Sequence, residues 1–271
     1  MNKPLLAALI LIPLTAALAG VESPASPNPV KKGAAGQAKE ANQALQESGV
    51  SWLYNWHPTP GTTLPEGIEF VPMIWGKRDV AAIEQAQGKV LLGFNEPERK
   101  EQANMTVEEA LEIWPKMEAT KMRLGSPAPA GGATRPGGWF DRFMTTAQER
   151  GYRVDFICLH WYGSNYKPDA AVKALKNYLT SIYERYQKPI WLTEFSISQF
   201  KNGPEATVAE QQAFMEKALP MLDSLPFVER YSWFVFNSNK KGKPQNWYLL
   251  NSENELNELG KTYSTASQVK N

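Results

Sequence analysis

The chain has 271 residues, 29 of them basic and 28 acidic, for a net charge of +1 at neutral pH. Charge spread that evenly leaves no electrostatic footprint for nucleic acid or an anionic membrane, so an uncharged partner is expected. A single cysteine, Cys158, excludes an intramolecular disulfide, and two histidines in different segments, His57 and His160, exclude a His-rich metal centre or an HExxH site.

The amino terminus carries Lys3, an almost wholly apolar run from Leu5 to Leu18, and the small-residue pattern Ala17-Leu18-Ala19. This is the pattern of a secretory signal, residues 1–19, and it implies a secreted or periplasmic protein. The run is short for a membrane span, which needs about 20 residues, so no membrane attachment is expected after cleavage. Residues 20–29, rich in Pro and Ser, read as a linker. The remainder, 30–271, has the size of one (β/α)₈ barrel domain.

From residue 30, short apolar runs alternate with amphipathic helical runs, the signature of repeated β-α units around a parallel sheet. VKKGAAG at 30–36 is the weakest strand signal, and a helical segment closed by Gly49 follows it. VSWLYNW at 50–56 and EFVPMIW at 69–75 are the second and third strands, and Asp79 is read as the N-cap of the next helix. The fourth strand, KVLLGFNEPE at 89–98, runs into an Asn-Glu-Pro turn. Thr106 with Glu109 spells a capping box, after which Val107, Ala110, Trp114 and Met117 recur at helical spacing. RLGSPAPA at 123–130, VDFICLHWY at 154–162, PIWLTEFS at 189–196 and RYSWFVF at 230–236 complete eight strands. Helices are expected at 139–150, behind the sixth strand, after the capping box of Thr207 and Glu210, and at the carboxyl terminus. The fold is therefore read as α/β, a single-domain (β/α)₈ TIM barrel.

Active sites of such barrels lie at the carboxyl ends of the strands. Glu96 ends the fourth strand and Glu194 the seventh, each the acid that an apolar run delivers to one mouth. Asn55, Trp56, Trp75, His160, Tyr162 and Trp233 end their own strands at the same side. His160 and Tyr162 share parity along the sixth strand, so both can face one space. His160 reads equally as a structural histidine or a substrate contact. Nine Trp and ten Tyr are many for such a chain; Trp56, Trp75, Trp161 and Trp233 are candidates for walls that stack on sugar rings, with packing the alternative for any one of them. Glu66, Glu98 and Asp155 read as surface or structural acids, and Cys158 as a buried, inert thiol.

Two carboxyls facing one cleft suit glycosidic bond cleavage, one as acid/base and the other as nucleophile. Glu96 takes the first role and Glu194 the second, with Asn95 placed to meet a sugar hydroxyl. No cofactor or resident metal is expected, although a cation site built from oxygen ligands stays open.

The order SWLYNWHPTP, FVPMIWG, LLGFNEPE, LGSPAPA, VDFICLHWYG, WLTEFS and VERYSWF resembles glycoside hydrolase family 128, the alkali-sensitive-linkage-like glucan hydrolase catalytic core of clan A. The resemblance spans the mature chain. It implies a retaining β-1,3-glucanase, with Glu96 matching the family's acid/base and Glu194 its nucleophile; the paired glutamates and aromatic mouth point to cleavage of internal bonds in β-1,3-glucan polysaccharide or oligosaccharide, and a monomer is expected. Exo-action, another β-glycan, or a glucan-binding barrel without turnover are the alternatives. At the first strand KKGAAG stands where the family more usually has KRG and an apolar or aromatic run.

Overall fold

The computed structural model describes residues 31–199, 204–237 and 246–266, and the expected signal and linker fall outside them. Eight parallel strands are present among the described residues: β1 Lys32–Ala35, β2 Trp52–Tyr54, β3 Glu69–Phe70, β4 Val90–Leu91, β5 Arg123–Leu124, β6 Ile157–Gly163, β7 Ile190–Ile197 and β8 Val228–Trp233. Between and after them run α1 Asn42–Glu47, a 3-10 helix Lys77–Gln85, α2 Val107–Ala119, α3 Trp139–Glu149, α4 Pro168–Tyr186, α5 Val208–Ser224 and α6 Glu258–Thr265.

One ladder joins the strands in the order β3-β2-β1-β8-β7-β6, and a second joins β4 to β5. Short bridges connect the two. Met73 pairs with Leu92 just beyond β3 and β4, and Gly125 pairs with Phe156 just before β6. Parallel pairing therefore links each strand to the next and β8 back to β1, as a barrel of this class requires.

The apolar residues divide into two shells. Trp52, Tyr54, Val71, Met73, Val90, Leu92, Phe156, Cys158 and Trp191 pack together without any helical residue and fill the barrel. Their strand neighbours Leu53, Leu91, Ile157, Leu159 and Leu192 pack outward with Trp114, Phe143, Leu175, Leu179 and Phe214 of the helices. Period-two alternation thus sorts each strand between barrel and helix layer.

β1 shows why its signal is weak. A Cβ on Gly33 would lie 2.1 Å from the Trp52 ring, so the strand is small where the neighbouring indole fills the barrel. Both capping boxes form as expected, with Thr106 accepting from Glu109 N and Thr207 from Glu210 N; such caps contribute about 1 kcal/mol each. Asp79 is a correction. The segment is a 3-10 helix whose N-cap is Gly76, and Asp79 lies inside its first turn. Cys158 is buried, and burial pushes its thiol well above the usual range, in keeping with an inert side chain.

Candidate active site

Simple alternation along β7 would point Glu194 at the helices. Trp191 faces the barrel and Leu192 the helix layer, so Thr193 would face in and Glu194 out. The register prevents this: Leu159 pairs with Leu192 but His160 pairs with Glu194, leaving Thr193 as an extra residue. The same slip appears against β8, where Leu192 meets Tyr231 and Phe195 meets Trp233. A bulge of this kind re-aims the side chain that follows it. Here it turns Glu194 into the mouth and sends Phe195 outward to Phe214 and Trp233. The bulged Thr193 carbonyl accepts from the Ser232 hydroxyl, which leaves the single Tyr54 proton for Glu194.

Glu194 is 4 % exposed and carries several donors. Its Oε1 accepts from Tyr54 Oη at 3.1 Å and Trp56 Nε1 at 2.8 Å, and its Oε2 accepts from Tyr162 Oη. Burial, followed by the Glu194 charge, pushes both phenols well above their usual range, so each remains a donor.

Glu96 reaches the same space from the end of β4 through a backbone turn with φ +43. That left-handed conformation is uncommon for a residue with a side chain, and less favourable still before a proline. It is held by Glu96 N donating to Ala128 O at 2.7 Å and by Arg99 N donating to Glu96 O at 3.0 Å. Arg99 Nε stands 3.9 Å from the carboxylate.

His160 lies between the two acids. Nδ1 is 2.9 Å from Glu96 Oε1 and Nε2 is 3.5 Å from Glu194 Oε1. Burial works against charge on this imidazole, but Glu194 and then Glu96 outweigh it and raise the pKa above the usual value. A carboxylate oxygen of Glu96, one of Glu194 and a ring nitrogen of His160 all lie within 4.8 Å of one another. That spacing could also hold a cation, but Nδ1 is already engaged by Glu96 and Oε1 of Glu194 already accepts two neutral donors.

The acids open into a cavity of about 500 Å³ lined by Trp56, Trp75, Asn95, Tyr162 and Phe234, with Arg99, Glu101, Gln102 and Ala130 at the β4 side. Asn95 Nδ2 donates to Gln102 Oε1 at 3.3 Å, while its buried Oδ1 has no partner. Of the ten residues expected here, seven meet at the mouth: Glu96, Glu194, Asn95, His160, Tyr162, Trp56 and Trp75.

The other three are corrections. Asn55 braces its own loop, donating to Thr59 O and Pro60 O and accepting from His57 N. Trp161 has the opposite parity to His160 and Tyr162 and stacks on Phe214 of α5. Trp233 is fully buried, donating from Nε1 to Trp247 O at 2.9 Å. The sequence reading did not include Tyr54, which meets Glu194, or the cavity-lining Phe234, Arg99, Glu101, Gln102 and Ala130. Tyr54 shares parity with Trp56, a signal that was there to be used. Glu98 and Asp155 have structural partners, Ala130 N and the Leu124 N–Arg153 pair, and Glu66 is exposed.

Comparison with known proteins places this site in a family. A family model described as glycosyl hydrolase catalytic core matches residues 33–263. The crystal structure of a family 128, subgroup I endo-β-1,3-glucanase from Amycolatopsis mediterranei, a glutamate-to-alanine mutant holding laminaripentaose, is 43% identical, covers 87% of this chain and 99% of its own, and has a TM-score of 0.82. The chain belongs to glycoside hydrolase family 128. This hydrolase is also similar to a subgroup III curdlan-specific exo-β-1,3-glucanase from Blastomyces gilchristii, at 32% identity, 89% and 100% coverage and a TM-score of 0.69. Alkali-sensitive linkage protein 1 of Schizosaccharomyces pombe is 29% identical over 228 residues, which is 79% of the hydrolase but 40% of that longer protein.

Proposed function

We propose that the protein is an exported endo-β-1,3-glucanase that works by double displacement with retention. The observation that carries the mechanism is the spacing of the acids, with carboxylate oxygens of Glu96 and Glu194 within 4.8 Å. Retaining enzymes hold their carboxyls about 5–5.5 Å apart, whereas inverting ones need roughly 6.5–9.5 Å to admit a water. Glu194 attacks the anomeric carbon as the glycosidic C–O bond breaks, and the proton on Glu96 goes to the departing oxygen. Water, deprotonated by Glu96, then releases the sugar from Glu194.

The substrate reading is supported by the cavity and by the relatives. Trp56, Trp75, Tyr162 and Phe234 offer aromatic faces, and the unpartnered Oδ1 of Asn95 can accept from a sugar hydroxyl. The Amycolatopsis protein was crystallised with laminari-oligosaccharides in mutants of two different glutamates, whose separation in that chain is close to that of Glu96 and Glu194. Identity is higher to this endo-acting relative, 43%, than to the exo-acting one, 32%, which favours internal cleavage. Export is supported by the amino-terminal pattern.

Laminarin is expected to yield reducing ends, and laminarihexaose a ladder of shorter oligosaccharides. Proton NMR of the first product should show the β-anomer. Release of glucose alone would replace endo- by exo-action, an α-anomer would overturn retention, and an inert, folded protein would overturn the reading as a whole. Amino-terminal sequencing of the exported protein should begin near Gly20.

A further inference from the structure

The two oxygens of Glu194 are not equivalent. Oε1 accepts from Tyr54 Oη and Trp56 Nε1, which occupies both of its lone pairs, and His160 Nε2 stands 3.5 Å away. Among the described residues, Oε2 accepts from Tyr162 alone. The cavity therefore meets a carboxylate with one anchored oxygen and one that retains a lone pair.

Trp56 reaches Oε1 by an unusual path. Its φ of +63 breaks from the extended course of β2, a conformation sparsely populated by bulky residues. The ring is wedged edge-on between Tyr54, at 5.3 Å, and Phe234, at 6.1 Å, and it lines the cavity. A wall for a sugar ring would need only the indole's face. Directing its N–H at the carboxylate, 2.8 Å away, is a separate feature.

We infer that Trp56 is a positioning residue for the nucleophile: its indole N–H, together with the Tyr54 hydroxyl, pins Oε1 so that Oε2 bonds to the anomeric carbon. This rests on Glu194 being the nucleophile. In the first step the Oε2–carbon bond forms, the glycosidic C–O bond breaks, and the leaving oxygen takes the Glu96 proton. Oε1 becomes the ester carbonyl oxygen and the hold of its two donors weakens as its charge falls. In the second step water attacks the anomeric carbon, losing its proton to Glu96, and the bonding pair returns to Glu194. The Trp56 N–H then stabilises the departing carboxylate, so its contribution falls mainly on hydrolysis of the intermediate.

Trp56→Phe keeps an aromatic wall and loses the N–H, and replacement of Trp56 by benzothienylalanine loses the N–H with the ring shape preserved. On 2,4-dinitrophenyl β-laminaribioside both variants should lose about 10- to 100-fold in kcat, the range for a hydrogen bond to a charged group. KM should fall in parallel as the intermediate accumulates, with a dinitrophenolate burst of one equivalent per active site. A raised KM with kcat held and no burst would reduce Trp56 to a wall and overturn the inference. A readout independent of turnover is the Trp56 indole resonance in nitrogen-15-labelled protein, expected to move on Glu194→Gln. A resonance that stays put removes the hydrogen bond and the inference with it. Wild-type protein that cleaves neither laminarin nor the aryl glycoside, while the indole still responds to Glu194, would show instead that the substrate reading is at fault.

Discussion

At the amino ends of the strands, Arg123 holds Glu229 with both terminal nitrogens, at 2.6 and 3.0 Å, and Arg230 holds Glu69 at 2.6 Å. Arg230 also lies over the rings of Trp191 and Trp52, and Trp191 Nε1 donates to Glu229. Glu229 and Glu69 each have a guanidinium in direct contact. At the carboxyl ends, Glu194 is met by two phenols, one indole and an imidazole, and Glu96 by that imidazole with a guanidinium 3.9 Å off. The floor neutralises charge in place; the mouth keeps carboxylates close together under neutral donors. The first arrangement favours a closed barrel, the second a reactive one, since a carboxylate bound to a guanidinium is a poorer nucleophile.

The largest effect expected from breaking this contrast is at the mouth. Glu194→Gln should reduce laminarin turnover by at least about 10⁴-fold, because an amide cannot form the glycosyl ester, while calorimetry shows a melting temperature no lower than wild type. At the floor the signs reverse. Gly33→Ala, which drives a methyl into the Trp52 ring, should cost roughly 1–3 kcal/mol in denaturant unfolding by overpacking, with kcat per folded molecule unchanged. Glu229→Ala leaves Arg123 and the Trp191 N–H without their acceptor; the site is about one-third exposed, so about 1–2 kcal/mol is expected. For a domain of this size that lowers the melting temperature by about 2–8 °C, again without loss of kcat.

The remaining contrast is in pH, where the two ends respond oppositely. His160 at the mouth has a raised pKa, with burial opposing and the Glu194 and Glu96 charges prevailing. Its folded value exceeds its unfolded one, so its contribution to stability is complete below pH 6.5 and is lost as pH climbs through the folded value. Lys32 at the floor is lowered by burial from 10.5 to about 8, while its Nζ donates to Tyr263 O and Ser264 O at the end of α6. Between those two values the unfolded chain binds more protons, so stability rises with pH across that window and falls as pH drops through about 8. Melting curves against pH should show His160→Gln abolishing the loss and Lys32→Met the gain.

The sequence was most legible where one local rule acted alone. The two capping boxes, the eight strand runs and the delivery of Glu96 and Glu194 to one end follow from nearest-neighbour patterns and barrel topology. It was least legible where a neighbour decided the outcome. β1 is small because Trp52 of β2 needs the room. Trp161 and Trp233 read as mouth aromatics because they end strands, yet their parity assigns them to the helix layer. Asn55 is taken up by the turn that follows it. The inward aim of Glu194 depends on a register slip that period-two counting along β7 alone would assign to the wrong face.

That slip at Thr193 acts as a parity bit for the whole enzyme. Were Thr193 taken into the ladder instead of being bulged out of it, Glu96, Glu194, His160 and Tyr162 would all remain in the chain, yet strict alternation would turn Glu194 toward the helix layer and bring Phe195 to the mouth. A relative could therefore carry both acids in their motifs and be inert through strand register alone. Whether the β7 glutamate lies opposite His160 is thus as diagnostic of a working barrel as the glutamates themselves.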